Sequence, residues 1–461
     1  MKTVRDPDHL LAQGLAAIRE QFSVAEGFPP QVLAAAQSAA TRAPTDHADR
    51  TDMPFVTLDP TRSTDLDQAF AIERAGADLV LHYAIADVAW FVADGDPVDV
   101  EAWKRGTTLY LPDGKAGLYP PVLAEQAASL LPDGPRPAVI FTVRIAPDGA
   151  ATLDGVQRAI IRSRAKLAYS TVQESDLPDG FDDIARRVAA AEERRGAARV
   201  DPPEQQVERM ADGTFTLRFR PPNRAEQRNA ALSLATNLAV ADALQAAGTG
   251  LFRVMAQPEP RAETRLRRTA EAFGLAWASG VPLTAFEKTL DPADARHAAF
   301  MFAVRRAGQG ASYQPFIPGT PPWHAAVAAP YAHATAPLRR LADRYVIRAA
   351  LALAAGQRVE QVAEDAFQRL PAVMQRAEAR GGQIDRAVID LAEASFLASR
   401  IGSTFDAVVT DLAENGARIQ LCDPAVVARV KADGVLPGTR LAVRLVAADP
   451  ARRTMTFERA A

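Results

Sequence analysis

The chain has 461 residues, enough for two or three domains with ample core. Its 53 Lys and Arg nearly balance 56 Asp and Glu, giving a formal net charge of −3 and a pI near 6.1. This excludes a globally basic nucleic-acid binder, and an RNA enzyme of this charge must gather its cations in one channel. Cys422 is the single cysteine, which excludes a disulfide framework and zinc fingers and fits a reducing, cytoplasmic setting.

Along the chain, Leu10, Leu11, Leu15, Ile18 and Phe22 fall at helical spacing, and Pro29-Pro30 opens a second helix over 31–42. No charged-then-apolar leader precedes them, and no apolar run reaches ~18 uncharged residues, so no membrane span is expected. Residues 1–50 are expected to form a small helical module, either helix-turn-helix-like or a simple brace. Residues 51–398 read as an α/β (α+β) body. Strands dominate to about Ile161, including a β-rich stretch through 85–90. Helical patterns follow at 181–199, 225–247, 261–273, 293–307, 336–355 and 359–396. Pro202-Pro203 and Pro221-Pro222 bracket an expected hairpin around Asp212-Gly213. Residues 399–461 return to strands: 401–412, 417–421, 426–430, 440–447 and 454–458, punctuated by glycines. Five strands in so short a span predict an OB-fold barrel.

The segment from Leu58 to Phe70, L-D-P-T-R-S-T-D-L-D-Q-A-F, concentrates the chemistry. Asp59, Asp65 and Asp67 are crowded between strand patterns, where carboxylates repel one another unless a cation neutralises them. Oxygen donors without nearby His or Cys suit Mg²⁺ or Mn²⁺ rather than zinc. The same residues also make good turn caps, so spacing alone leaves both readings open.

D-P-T-R-S-T-D-L-D-Q resembles the signature of the RNase II/RNase R family, the RNB-domain 3′→5′ exoribonucleases. Further blocks resemble it in order. They are I-A-D-V at 85–88, V-D-V-E-A-W-K-R-G-T-T-L-Y-L-P at 98–112, a proline-to-serine-leucine block at 120–130, and Y-A-H-A-T-A-P-L-R-R-L-A-D-R-Y-V-I-R at 331–348. I-G-S-T-F-D-A-V-V-T at 401–410 looks like the start of an S1-type domain, although Gly416 is followed by Ala417 where an aromatic is expected. The resemblance implies an RNB catalytic domain at 51–398 and an S1-type RNA-binding barrel at 399–461. The N-terminal region is too short for cold-shock barrels.

It also implies roles. Asp59 is a metal ligand, Asp65 supports the metal's water shell, and Asp67 is the carboxylate most critical to catalysis. Gln68 stands where the family has a fourth Asp, either as a weaker metal ligand or as a supporting group. Arg339 matches the catalytic arginine. Arg340 either shares its RNA contacts or pairs with Asp343. Tyr110 matches the aromatic that stacks the 3′-terminal nucleotide, and Tyr169 another tyrosine on the RNA path. His333 is given a structural role. Ala231 replaces a glutamate common in relatives, while Asn237 is retained. Arg158, Arg162, Arg164 and Lys166 either contact phosphates or line a solvated strand edge. The expected protein is a monomer that hydrolyses single-stranded RNA from its 3′ end to nucleoside 5′-monophosphates, with Mg²⁺ (or Mn²⁺) as cofactor. The alternatives are a catalytically weakened RNA-binding protein, to which Gln68 points, and a DNA-binding regulator, which rests on the N-terminal helices alone.

Overall fold

The computed structural model describes residues 2–4, 10–197, 204–209, 215–220, 223–257, 259–292, 294–308, 310–413, 416–422, 426–432 and 434–460. A short strand β1 (Lys2–Val4) leads to helices α1 (Leu10–Gln21) and α2 (Pro30–Ala40). Proline at the start of α2 suits a first turn that has no use for its N–H. The two helices join different cores. Leu11, Leu15 and Ile18 of α1 pack with the end of the longest helix and the C-terminal barrel, whereas Val32, Ala36 and Ala39 of α2 enter the core of the catalytic body. The single helical module expected for residues 1–50 is thus divided between two cores in the manner of a brace.

The body is built on β2 (Ala48–Asp49), β3 (Val56–Asp59), β4 (Gln68–Ala75), β5 (Asp78–Ala86), helices α3 (Val88–Phe91) and α4 (Pro97–Arg105), and the hairpin β6 (Leu109–Leu111) and β7 (Gly114–Ala116). It continues through β8 (Arg136–Ile145), β9 (Ala151–Ile161) and β10 (Ala165–Ala168). Seven of these strands form one mixed sheet in the order β10-β3-β4-β5-β8-β9-β2. The outer pairs β10–β3 and β9–β2 are parallel and the inner ones antiparallel. Near-continuous burial along β5 and β8 marks a sheet covered on both faces.

Two sequence expectations fail here. Residues 88–90 are helical rather than extended, because the Asp87 carboxylate accepts the Trp90 N–H and caps α3. Residues 97–105 form α4, with Asp96 as N-cap, Pro97 at the first turn and Gly106 at the end. Gly106 is required twice over: its φ is +70°, and a Cβ there would lie 2.8 Å from the Ala377 methyl.

The second half contains α5 (Phe181–Arg195), the hairpin β11 (Glu204–Arg209) and β12 (Phe215–Arg220), α6 (Arg224–Ala246), β13 (Leu251–Val254), α7 (Pro260–Ala272), α8 (Leu283–Glu287) and α9 (Ala295–Ala307). It closes with β14 (Ser312–Pro315), β15 (Trp323–His324), β16 (Ala329–Pro330), α10 (Leu341–Ala354) and α11 (Gln361–Leu397). The first of these helices stops at Gly196, in the left-handed region. β11 and β12 pair as expected, with β1 added at the edge, while the Asp212-Gly213 turn lies outside the described residues. The expected helix over 336–355 begins only at Leu341. Its forerunner 336–340 is a loop whose Thr335 and Ala336 N–H groups are taken by the buried Asp343 carboxylate at 2.9 and 2.7 Å. Buried Arg344 pairs with Asp99 and ties α10 to α4.

The C-terminal strands β17 (Thr404–Ala413), β18 (Gly416–Leu421), β19 (Val427–Lys431), β20 (Arg440–Asp449) and β21 (Thr454–Arg459) close into a barrel in the order β17-β18-β19-β21-β20. Each matches a predicted strand to within a few residues. Among the described residues no helix is long and apolar enough to cross a membrane.

Candidate active site

The acid loop runs from the end of β3 to the start of β4, and its shape is set from outside. Buried Ser129 accepts the Leu66 N–H at 2.9 Å and donates to the Thr64 carbonyl at 2.7 Å. The Lys166 ammonium donates to the Thr61 and Ser63 carbonyls at 3.2 and 2.6 Å. These ties leave the three carboxylates with different environments. Asp59 is half-buried at the end of β3. Burial pushes its carboxyl up to about 7, with Asp65 adding to the rise and Arg339 and Lys166 opposing it. Asp67 is 6% exposed. Burial pushes it up to about 8, against the pull of Arg339 and of the Leu338 N–H, which it accepts at 2.7 Å. Asp65 is on the rim, 2.8 Å from the Lys115 ammonium and 3.2 Å from the Tyr110 hydroxyl that donates to it.

The second wall is the loop 331–340. Asn237 on α6 accepts the Ala334 N–H at 2.9 Å, and Asp343 holds the next two N–H groups. The Arg339 carbonyl accepts from the Thr107 hydroxyl and the Thr108 N–H at 2.8 and 3.0 Å, which joins this loop to the strand carrying Tyr110. Arg339 therefore lies outside the helix that its sequence pattern suggested. Its side chain is 48% exposed, with Nε 3.4 Å from Asp67 Oδ2. Tyr110 is 50% exposed on β6, directly opposite Lys115 on β7, so a single hairpin delivers both side chains to Asp65. Tyr169, partly buried, receives a hydrogen bond from Asn229 at 2.8 Å, and its backbone N–H bonds to the Asp59 carbonyl.

Asp59, Asp65, Asp67, Arg339 and Tyr110 are thus brought together, with Tyr169 alongside. In three places the contacts favour one of two readings that the sequence left open. Arg340 is not a free RNA contact: it forms a bidentate pair with buried Asp343 at 2.9 and 2.8 Å, the structural role that its sequence had left open. Gln68 is engaged at both ends, its Oε1 accepting from the Tyr83 hydroxyl and its Nε2 donating to the Thr335 carbonyl, both at 2.6 Å. An aspartate could not make the second bond, so the departure at Gln68 serves to lock the acid loop to the arginine loop. Of the four cations read either as phosphate contacts or as a solvated strand edge, Arg158 pairs with Asp87, Arg164 donates to the Asp52 carbonyl, Lys166 holds the acid loop and Arg162 is exposed. His333 is partly buried and bonded to the Tyr313 hydroxyl at 2.7 Å, and desolvation pushes its pKa down, with Arg340 and Arg253 adding to the fall. Sequence reasoning missed Lys115, Ser129 and the part played by Asp343. Only Asp343 left a signal, three residues after Arg340.

The donor chemistry suits a hard divalent cation: only oxygens, with the buried Asp67 and half-buried Asp59 carboxyls short of countercharge. Among the described residues no three His, Cys, Asp or Glu side chains converge into a ready-made cage. A metal would be held chiefly by Asp59 and Asp67.

Comparison with known proteins adds the wider frame. Residues 47–355 match the RNB domain, and residues 403–460 match the RNase II-type exonuclease C-terminal S1 domain. Exoribonuclease 2 of Cronobacter sakazakii is 29% identical over 409 residues, covering 83% of this chain and 62% of that protein. Ribonuclease R of Escherichia coli is 26% identical over 435 residues, covering 85% and 52%. The chain therefore spans roughly half to three-fifths of the length of these curated relatives. Among solved structures, Mycoplasma genitalium RNase R in complex with ribose-methylated single-stranded RNA superimposes with a TM-score of 0.86 at 19% identity, covering 100% of this chain and 79% of that one. Yeast Ssd1, a pseudonuclease, superimposes at 0.66 with 16% identity, covering 96% and 59%. At these identities the structural likeness speaks for the fold. With the RNB match covering well over half of its length, the chain belongs to the RNB-domain family.

Proposed function

We propose that the protein is a metal-dependent, sequence-nonspecific 3′→5′ exoribonuclease that hydrolyses single-stranded RNA to nucleoside 5′-monophosphates. The observation that carries the reading is the meeting of buried Asp67 with exposed Arg339, 3.4 Å apart, beside the exposed ring of Tyr110. Mg²⁺ or Mn²⁺, when bound, supplies a Lewis acid for the phosphate and a more acidic water. Asp59 and Asp67 would hold it, with Asp65 in support. Arg339 forks across phosphate oxygens and stays charged through the reaction. Tyr110 offers a stacking face worth ~1–3 kcal/mol per base without sequence preference. Tyr169, anchored beside Asp59, lines the RNA path. Residues 51–398 serve as the catalytic unit, 399–461 as the RNA-gripping barrel and 1–50 as a brace. The protein acts as a cytoplasmic monomer.

A 5′-labelled single strand incubated with Mg²⁺ should give a descending ladder and release nucleoside 5′-monophosphates. Asp67→Asn should abolish the ladder while RNA binding persists. Binding without any ladder from the wild-type protein would favour the weakened RNA-binding alternative. Gln68, on which that alternative rested, has a structural use that is compatible with catalysis.

A further inference from the structure

Away from the carboxylates, one face of α11 opens on a second cavity of about 710 Å³. Its walls include Gly382, Arg386 and Asp390 of α11, Phe22 just after α1, and Arg452 and Arg453 in the turn between β20 and β21. Three arginines line the cavity with Asp390, and Arg452 also pairs loosely with Asp449 at 3.7 Å. Asp390 is half-buried, and burial raises its pKa while Arg386 and Arg453 oppose the rise, so both guanidiniums act on the same space. Arg386 and Arg452 are exposed. Arg453 is partly buried: Nη2 donates to the Gln21 side-chain oxygen, whereas Nη1 is buried with no partner among the described residues.

One backbone feature supports a ligand here. Gly381 and Gly382 lie inside a 37-residue helix, against helix propensity. A Cβ at Gly382 would meet nothing within 4 Å, so no steric demand of the fold explains this glycine; it leaves bare backbone at the cavity wall, where a ligand can approach closely. On the neighbouring face, a Cβ at Gly381 would lie 3.6 Å from Leu109, beside Tyr110. The cavity and the Tyr110 hairpin thus contact neighbouring positions of the same helix.

We propose that the cavity walled by Arg386, Arg452 and Arg453, where α1, α11 and the barrel meet, is a phosphate-binding site separate from the carboxylate site. Guanidiniums are the side chains best matched to phosphate oxygens. The phosphate belongs either to the backbone of a bound RNA strand or to a free phosphorylated ligand, and only the RNA source rests on the function proposed above.

The test uses the full chain carrying Arg386→Gln and Arg452→Gln together, both exposed, with an unchanged melting temperature as the check on folding. Binding of a long unstructured RNA is followed by anisotropy in EDTA across a salt series, and inorganic pyrophosphate binding by calorimetry. For the RNA source, affinity for the long strand falls roughly 3–10-fold, and the slope of log K against log salt becomes shallower by about 1.4, or 0.7 for each phosphate that is no longer neutralised. Cleavage of a trinucleotide with Mg²⁺ stays unchanged, because neither arginine contacts the active-site carboxylates, Arg339 or Tyr110. Loss of pyrophosphate binding with unchanged RNA affinity assigns the site to a free ligand. Unchanged binding of both probes overturns the proposal. Failure of the wild-type protein to cleave any RNA would sink the exoribonuclease reading and leave the binding result standing.

Discussion

The acid loop and the arginine loop face each other across the site, yet they are held by opposite means. The acid loop is fixed through its own backbone by Ser129 and Lys166, so its shape does not depend on its carboxylates. The arginine loop is held by side chains from elsewhere, Asn237, Asp343, Asp67, Gln68 and Thr107, and among them Asp343 alone serves two N–H groups and one guanidinium. The first arrangement spreads its support over several modest bonds. The second concentrates it in one buried anion. Adjacent arginines show the consequence: Arg340 is consumed by the scaffold, and Arg339 is left free to face Asp67.

The largest effect should follow from breaking the concentrated support. Asp343→Ala leaves the buried Thr335 and Ala336 N–H groups and the partly buried Arg340 without their partner, and should cost about 3–5 kcal/mol in urea denaturation. A loss below ~1 kcal/mol would show that the arginine loop has support besides Asp343. Arg339→Ala should separate the loop's chemistry from its architecture, lowering the chemical step by ~10²–10³ with no change in denaturation midpoint. A matching loss of stability would instead give Arg339 a structural share. Gln68→Asp removes the one side chain bonded to both Tyr83 and the arginine loop. The missing donor to Thr335 should cost ~1–3 kcal/mol and leave the Mg²⁺ concentration for half-maximal activity unchanged. A lower Mg²⁺ requirement at full stability would restore Gln68 as a ligand.

The pH dependence sharpens the contrast from the acid side. Asp59 and Asp67 have folded-state values raised to about 7 and about 8, above an unfolded value of about 4. The folded protein therefore binds more protons in this window. Their contribution is fully present below about pH 4 and is lost as pH rises toward 8. Metal-free protein should lose stability over that range, and Asp67→Asn should flatten the fall; a profile identical in both proteins would mean that Asp67 is not the buried acid described. Lys115→Ala should have the smallest effect. A partly exposed pair is worth under ~1 kcal/mol, so stability should hold while the end-point of degradation shifts through a looser Tyr110 hairpin. An unchanged end-point would place Tyr110 independently of Lys115.

Much of this was legible in the sequence wherever local pattern governs. The barrel strands alternate cleanly between glycines, and Asp59, Asp65 and Asp67 share one short segment. Helix α4 carried every terminal signal, from Asp96 and Pro97 to Gly106, but the strands around it dominated the reading. The segment 336–340 has a helical pattern, yet Asp343 withdraws the N–H groups that a helix would need. Lys115 and Ser129 were invisible because their meaning lies in contacts with Asp65 and Thr64, fifty or more positions away, which no spacing encodes. Gln68 read as a loss of charge because its gain, a hydrogen bond to Thr335, is 267 positions distant.

Helix α1 has a consequence in time. Its apolar face is buried against α11 and the barrel, and Arg380 binds the Phe22 carbonyl across 358 positions of chain. At 5–20 residues per second, a ribosome needs roughly 20–70 s to make the partner of a helix it has already released. Throughout that interval Leu11, Leu15 and Ile18 have nothing native to cover them. During synthesis α1 is thus a natural place for a chaperone to hold the nascent chain, and its docking is a late event that reports completion of the fold.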